Sequence, residues 1–241
     1  MSIESVYADN AGVRVHALDN SWPDTDLAPI VVVPGMGESA EEYAWLLDEL
    51  GDRRVVAIDV RGRGRSDAPE HGYRWEDHIG DLAAMIEALA LDRPVLVAFS
   101  RGSSYALGYA LTAPDRVRGL VVGDYQARHV GLPADFAEHQ LAVVLRGVPM
   151  TERMPAHAVV GVVTDSREVP LWDRLHELAC PVLVIRGGRK GVIVDDDAAA
   201  RWKAALPSVE FAMLANAGHD LWSRDRDAYL AVVRPFLDRV G

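Results

Sequence analysis

The sequence predicts an α/β fold: a doubly wound, mostly parallel sheet carrying a small helical insertion. Three observations point there. Six short apolar runs, rich in Val and Ile and too short for helices, recur along the chain; near-continuous hydrophobicity of this kind marks parallel strands covered on both faces. Between them lie segments with apolar residues at three- and four-residue spacing, the pattern of amphipathic helices. The two kinds of segment alternate throughout, except over 126–178, where helical patterns continue without a convincing strand.

The start, MSIESVYADNAGVRVHALDN, reads as strand-rich, with neither the basic region nor the continuous apolar stretch of a signal peptide. PIVVVPG (29–35) is the first strong strand and is followed by the helical EEYAWLLDEL. RVVAIDV (54–60) and PVLVAFS (94–100) enclose the helical WEDHIGDLAAMIEALA, and SSYALGYALTAP opens the next helix. GLVVGDY (119–125) precedes the irregular interval, after which come PVLVIRG (181–187), the helical DDDAAARWKAAL and VEFAMLA (209–215). Residues 1–125 and 179–241 therefore form one core, and 126–178 is expected to be a lid, because functional excursions concentrate in long connections.

Composition excludes several classes. With 241 residues, 49% of them hydrophobic, the chain can bury a large core as a single domain. Its net charge of -11 disfavours nucleic acid, whose binding needs a basic footprint. No apolar stretch is long enough to span a bilayer. Cys180 is the single cysteine, which excludes an internal disulfide and fits a reducing, cytoplasmic compartment; it is expected to be a buried structural thiol. No histidine pair has metal-ligand spacing, so no metal is expected, and nothing calls for a cofactor.

Chemistry concentrates at the ends of three strands. Ser100 closes one apolar run and opens a helix, in the frame Ala98-Phe99-Ser100-Arg101-Gly102, one small-residue substitution from G-x-S-x-G. A nucleophile elbow needs small residues two before and two after the serine, so that strand and helix can approach closely; the alternative is a plain helix N-cap serine. Pro34-Gly35-Met36-Gly37 follows the first strong strand, where the Met36 N–H is a candidate oxyanion donor with the N–H of Arg101. Ala217-Gly218-His219-Asp220-Leu221 follows the last strand, placing the imidazole of His219 at the same sheet edge. His71, His78 and His176 read as solvated loop or helix residues.

Taken together, PGMG (34–37), AIDVRGRGRSDAP (57–69), AFSRG (98–102), PVLVIRG and AGHDLW (217–222) resemble the α/β-hydrolases, in particular the esterase, C–C hydrolase, haloperoxidase-like and lactonase-like group with a helical lid. The resemblance makes RGRGRS a loop after the second of these strands and not a phosphate cradle; its arginines are expected to be structural or solvated. The chain departs from the family pattern at the triad acid. Lys190 stands where that pattern puts an aspartate, and a cation there opposes an imidazolium. Asp124, directly after GLVVG, is the better substitute; the other is the run Asp195-Asp196-Asp197, most simply a helix cap with first-turn acids. Some members of the family are similar in placing the acid after the strand that ends here at Asp124.

The expected function is acyl transfer through a Ser100-Asp124-His219 triad on a small or medium ester, lactone or thioester. Two alternatives stay open: a cofactor-free dioxygenase using His219 and Asp124 as base, and a catalytically weak ligand-binding protein of hydrolase shape. Gly35, Phe99, Arg128 and Trp222 are candidate substrate contacts. The Arg101 side chain raises the possibility of a carboxylate-bearing substrate, but its simpler reading, and the expectation, is a helix N-terminal side chain directed to solvent. Phe136, Leu141, Val143, Val144, Leu145, Val159, Val160 and Trp172 are expected to be lid core.

Overall fold

The computed structural model of the chain describes residues 2–21 and 25–241. The strand-rich start holds from Glu4, and Met1 lies outside the described residues. Eight strands form one sheet: β1 (Glu4–Asn10), β2 (Val13–Asp19), β3 (Ile30–Val33), β4 (Val55–Asp59), β5 (Val95–Phe99), β6 (Gly119–Gly123), β7 (Val182–Gly187) and β8 (Glu210–Leu214). Their order across the sheet is β1-β2-β4-β3-β5-β6-β7-β8. β1 and β2 form an antiparallel hairpin, β2 lies antiparallel to β4, and the strands from β4 to β8 run parallel.

The Val- and Ile-rich strands are buried along their whole length because helices cover both faces. Alternate residues of one strand therefore enter different cores. Val31, Val33, Leu96, Ala98, Leu120 and Val122 pack against α2 (Trp75–Ala88), α3 (Arg101–Thr112) and α7 (Asp196–Ala205). Ile30, Val32, Val95, Val97, Phe99 and Val121 pack against α1 (Ala44–Glu49) and α8 (Arg226–Val240). Strand order reverses at β3, whose neighbours are β4 on one side and β5 on the other. At such a switch point the loops leaving the carboxyl ends diverge and leave a crevice. The PGMG loop after β3 and Ser100 after β5 both open onto it.

The elbow depends on Gly102. A Cβ there would stand 2.3 Å from the Pro34 carbonyl oxygen and 2.5 Å from that of Val33, so backbone rather than a movable side chain would have to yield. Gly102→Ala is expected to lower stability by about 1–3 kcal/mol or to prevent folding. Thermal unfolding of the variant checks this, and an unchanged midpoint would contradict it.

The interval 126–178 has more strand than its sequence suggests, in two-residue pieces. Arg128–His129 pairs antiparallel with Val169–Pro170, and Val144–Leu145 with Val148–Pro149. Helices α4 (Phe136–Leu141), α5 (Met150–Arg153) and α6 (Ala156–Thr164) lie among them. Val159 joins Met150, Met154, Ala158, Val162 and Tyr73 in a small apolar cluster, with Leu141 and Val143 against it. Two expected core residues are exposed instead, Val144 at 62% and Val160 at 46%, because they face outward from the hairpin and from α6. Trp172 lies in the main core, edge-on to Trp202 at 5.5 Å, since the chain has by then turned back toward the sheet. Among the described residues no helix is long and apolar enough to cross a membrane. Cys180 is half-buried, and burial pushes its thiol up to about 11.

Candidate active site

Ser100 joins β5 to α3 with φ 50° and ψ −132°, a conformation that side chains with a Cβ rarely adopt. Its N–H donates to the Gly123 carbonyl at 2.8 Å, and its side chain makes no capping bond to α3. The hydroxyl is 3.0 Å from Nε2 of His219. Nδ1 of His219 is 2.7 Å from Oδ2 of Asp124. A neutral imidazole that donates from Nδ1 to the carboxylate leaves Nε2 as acceptor for the serine proton.

Asp124 follows β6, is fully buried, and has φ 44°. The loop that lacks the usual acid holds it: Ile193 N–H donates to Oδ2 and Val194 N–H to Oδ1, each at 3.0 Å. The structure thus brings Ser100, His219 and Asp124 together and leaves the aspartate run elsewhere. Asp195 caps α7 by accepting from Ala198 N–H, Asp196 pairs with Arg186, and Asp197 is exposed. Lys190 is exposed on the same loop.

The N–H groups of Met36 and Arg101 have no acceptor among the described residues. Gly35 lets the PGMG loop close on the nucleophile: a Cβ there would lie 3.1 Å from Ser100 Cβ and 3.2 Å from Phe99 Cδ1. Phe99 and Trp222 are buried, with the Phe99 ring 4.9 Å from that of His219 and edge-on to Trp222 at 4.7 Å. Phe99 thus packs against the imidazole, and Trp222 packs against Phe99. Arg128 is not brought to these side chains; it pairs with Glu168 at 3.5 Å.

Glu38 carried no signal in the sequence, yet it anchors the PGMG loop. Its Oε2 accepts from Gly35 N–H at 2.8 Å and from the Tyr43 hydroxyl at 2.7 Å. Burial raises its carboxyl above the ordinary range against the opposing pull of Arg146. Arg146, at the tip of the hairpin in the interval 126–178, bonds Glu38, Glu42 and Asp220, each at 2.8 Å. One guanidinium therefore ties that hairpin to the PGMG loop and to the residue after His219. No periodicity or motif could have indicated a contact between side chains so far apart in the chain.

Relay geometry alone does not select a nucleophile. His16 lies 2.7 Å from Asp59 and 3.0 Å from Ser5, the same spacing as at Ser100. Ser5, however, sits in the regular strand β1, and Arg65 already donates to its hydroxyl at 2.7 Å. The elbow and the free N–H groups distinguish Ser100.

Two expectations are corrected here. Arg101 is only 4% exposed: it donates to the Val130 carbonyl at 3.1 Å and lies 2.8 Å from Nε2 of His129, because the ribbon at Arg128–His129 folds over the start of α3. His78 is 1% exposed and stacks on Tyr105 at 4.4 Å, on the inward side of α2. Burial, with Arg101 adding repulsion, pushes His129 down to about 2, and burial with Arg63 holds His78 well below its ordinary value. Both rings are thus neutral in the folded chain. Below about pH 6.5 the unfolded chain binds protons that the folded chain refuses, so stability falls with pH. Each histidine is expected to remove up to about 1.4 kcal/mol per pH unit in that range. Urea unfolding of the wild type and His129→Gln between pH 7 and 5 checks the slope, which is expected to be shallower in the variant.

A family model described as the alpha/beta hydrolase fold matches residues 28–125. N-formylmaleamate deformylase of Pseudomonas putida is 26% identical over 94% of this chain and 94% of its own. A Bacillus subtilis protein assigned as 2-succinyl-6-hydroxy-2,4-cyclohexadiene-1-carboxylate synthase is 25% identical over 95% of this chain and 96% of its own. In fold, an esterase structure from Exiguobacterium antarcticum superposes with a TM-score of 0.81 at 18% identity, covering 98% of this chain and 100% of that one. Residues 28–125 carry the α/β-hydrolase pattern, the whole chain has the α/β-hydrolase fold, and the relatives support a hydrolytic enzyme.

Proposed function

We propose that the chain is a serine hydrolase that acts by acyl transfer on a small-molecule ester, lactone or thioester. One observation carries the reading: the hydrogen-bonded relay from Asp124 through His219 to a hydroxyl held in an elbow. His219 takes the Ser100 proton as the oxygen attacks the carbonyl carbon, and the Met36 and Arg101 N–H groups receive the developing oxyanion. The tetrahedral intermediate collapses to an acyl-serine, and the leaving alcohol or thiol takes the proton from His219. Water then repeats the sequence and releases the acid. Asp124 fixes the tautomer of His219 and stabilises the imidazolium, while Ile193 and Val194 fix Asp124.

Residues 126–178 act as a lid over this site, tied down through Arg146, and residues 1–125 and 179–241 form the core. A Mycobacterium tuberculosis relative named as an esterase, 25% identical over 87% of this chain, supports this chemistry. The test is product balance with a panel of aryl esters, lactones and thioesters. Acid and alcohol or thiol are expected in equal amounts from the esters and thioesters, and a single hydroxy acid from each lactone, with no oxygen consumed. Oxygen uptake with an aromatic hydroxy-ketone, unaffected by Ser100→Ala, would instead favour base-catalysed dioxygenation.

A further inference from the structure

Arg63 and Arg101 are buried cations that meet only neutral acceptors. Arg63 is 1% exposed; its Nη1 donates to the Arg61 carbonyl at 3.0 Å and lies 3.2 Å from Nε2 of His78. Its Nε and Nη2 have no acceptor among the described residues, and neither does Nε of Arg101. The two are joined through Tyr105: His78, bonded to Arg63, stacks on its ring, and His129, bonded to Arg101, lies 5.8 Å from it. The Tyr105 hydroxyl is also buried without a partner.

Two residues earlier in the same loop, Arg61 shows what such an edge accepts. Its Nε and Nη2 hold the two oxygens of Asp81 at 2.9 and 2.7 Å, the side-on fork by which a guanidinium grips a carboxylate. Arg63 presents that same pair of atoms with no carboxylate opposite. Asp81 cannot serve both, because it is fully buried and engaged by Arg61 and Asn10. A buried charge without an opposite charge is unfavourable, and a bound anion relieves it. Arg63 also forms part of the wall of a groove of about 400 Å³ between its own loop and the segment Thr151–Pro155, which gives an anion an approach.

We propose that Arg63 and Arg101 form a recognition site for a carboxylate of the substrate, so that the preferred substrate is an acyl compound carrying a free carboxylate. This rests on the acyl-transfer reading, and Arg101 directly follows Ser100 in the chain, at the start of α3. Burial, the largest cause, holds the Arg63 guanidinium below its ordinary value; Tyr105 opposes that shift and the charge of Arg101 adds to it.

The test compares two esters of matched carbon-chain length, p-nitrophenyl pentanoate and the mono-p-nitrophenyl ester of glutaric acid, with glutarate and glutaramide as competitors. The wild type is expected to favour the glutaric half-ester by at least about tenfold in kcat/KM, with glutarate but not glutaramide inhibiting. In Arg63→Met that ratio is expected to fall about tenfold or more. A ratio near one in the wild type, or one unchanged in both Arg63→Met and Arg101→Met, overturns the proposal. If the variants fail to fold, the wild-type ratio and glutarate competition decide alone. Fluorophosphonate labelling of Ser100 separates the two claims: labelling without carboxylate preference sinks only the anion site. If labelling is absent, the acyl-transfer reading fails, and glutarate stabilisation of the wild type against thermal unfolding still reads the anion site, its absence overturning that too.

Discussion

Ser100→Ala is expected to lower turnover of an activated ester by about four to six orders of magnitude while leaving the fold intact. The loss is large because, in the proposed mechanism, the hydroxyl is the nucleophile that His219 activates and whose oxyanion the Met36 and Arg101 N–H groups receive. The fold survives because the side chain makes no capping bond and alanine keeps the Cβ, so the elbow strain is unchanged. Single-turnover rates and thermal unfolding of the same preparation check both halves. Retained turnover in the folded variant would remove Ser100 from the mechanism.

Asp124→Asn carries the second large effect, and it is expected to act on both turnover and stability. The carboxylate accepts three bonds: Val194 N–H at Oδ1, and Ile193 N–H and His219 Nδ1 at Oδ2. An amide has one oxygen. With that oxygen toward His219, its NH2 group faces Val194 N–H; turned the other way, the NH2 faces Ile193 and His219 and drives the imidazole to the tautomer that cannot accept the serine proton. A loss of about three to four orders of magnitude in turnover is expected, with about 1–3 kcal/mol of stability lost to donors left without acceptors. Asp195→Asn is expected to change neither appreciably, since asparagine caps a helix about as well as aspartate. Turnover and urea midpoints of the two variants decide the assignment: near-wild-type turnover in Asp124→Asn with collapse in Asp195→Asn would place the acid elsewhere.

Much of this arrangement is legible in the chain because it follows from strand ends. Short Val- and Ile-rich runs specify the parallel strands, so Ser100, Asp124 and the PGMG loop, each directly after such a run, come to one sheet edge; His219, a few residues past β8, joins them. Lys190 directs attention away from the usual acid, and position then favours Asp124. The sequence could not foresee that the displaced loop would donate Ile193 and Val194 N–H groups to it, since backbone donors leave no residue signature. Arg101 and His78 are misread for a related reason. Polar side chains at a helix start or on a helix face default to solvent, and only the ribbon at Arg128–His129 and the aromatic wall of Tyr105 bury them. Arg146 and Glu38 escape notice because their bond joins residues far apart in the chain.

The central claim is that Ser100, and no other hydroxyl, is the activated nucleophile. Mass mapping of the folded protein after reaction with a fluorophosphonate tests it most directly, because Ser5 sits in a relay of the same spacing and serves as an internal control. The account predicts one adduct, on Ser100, that disappears in Ser100→Ala and persists in Ser5→Ala. An adduct on Ser5, Ser103 or Ser104, or no adduct on folded protein, would contradict it.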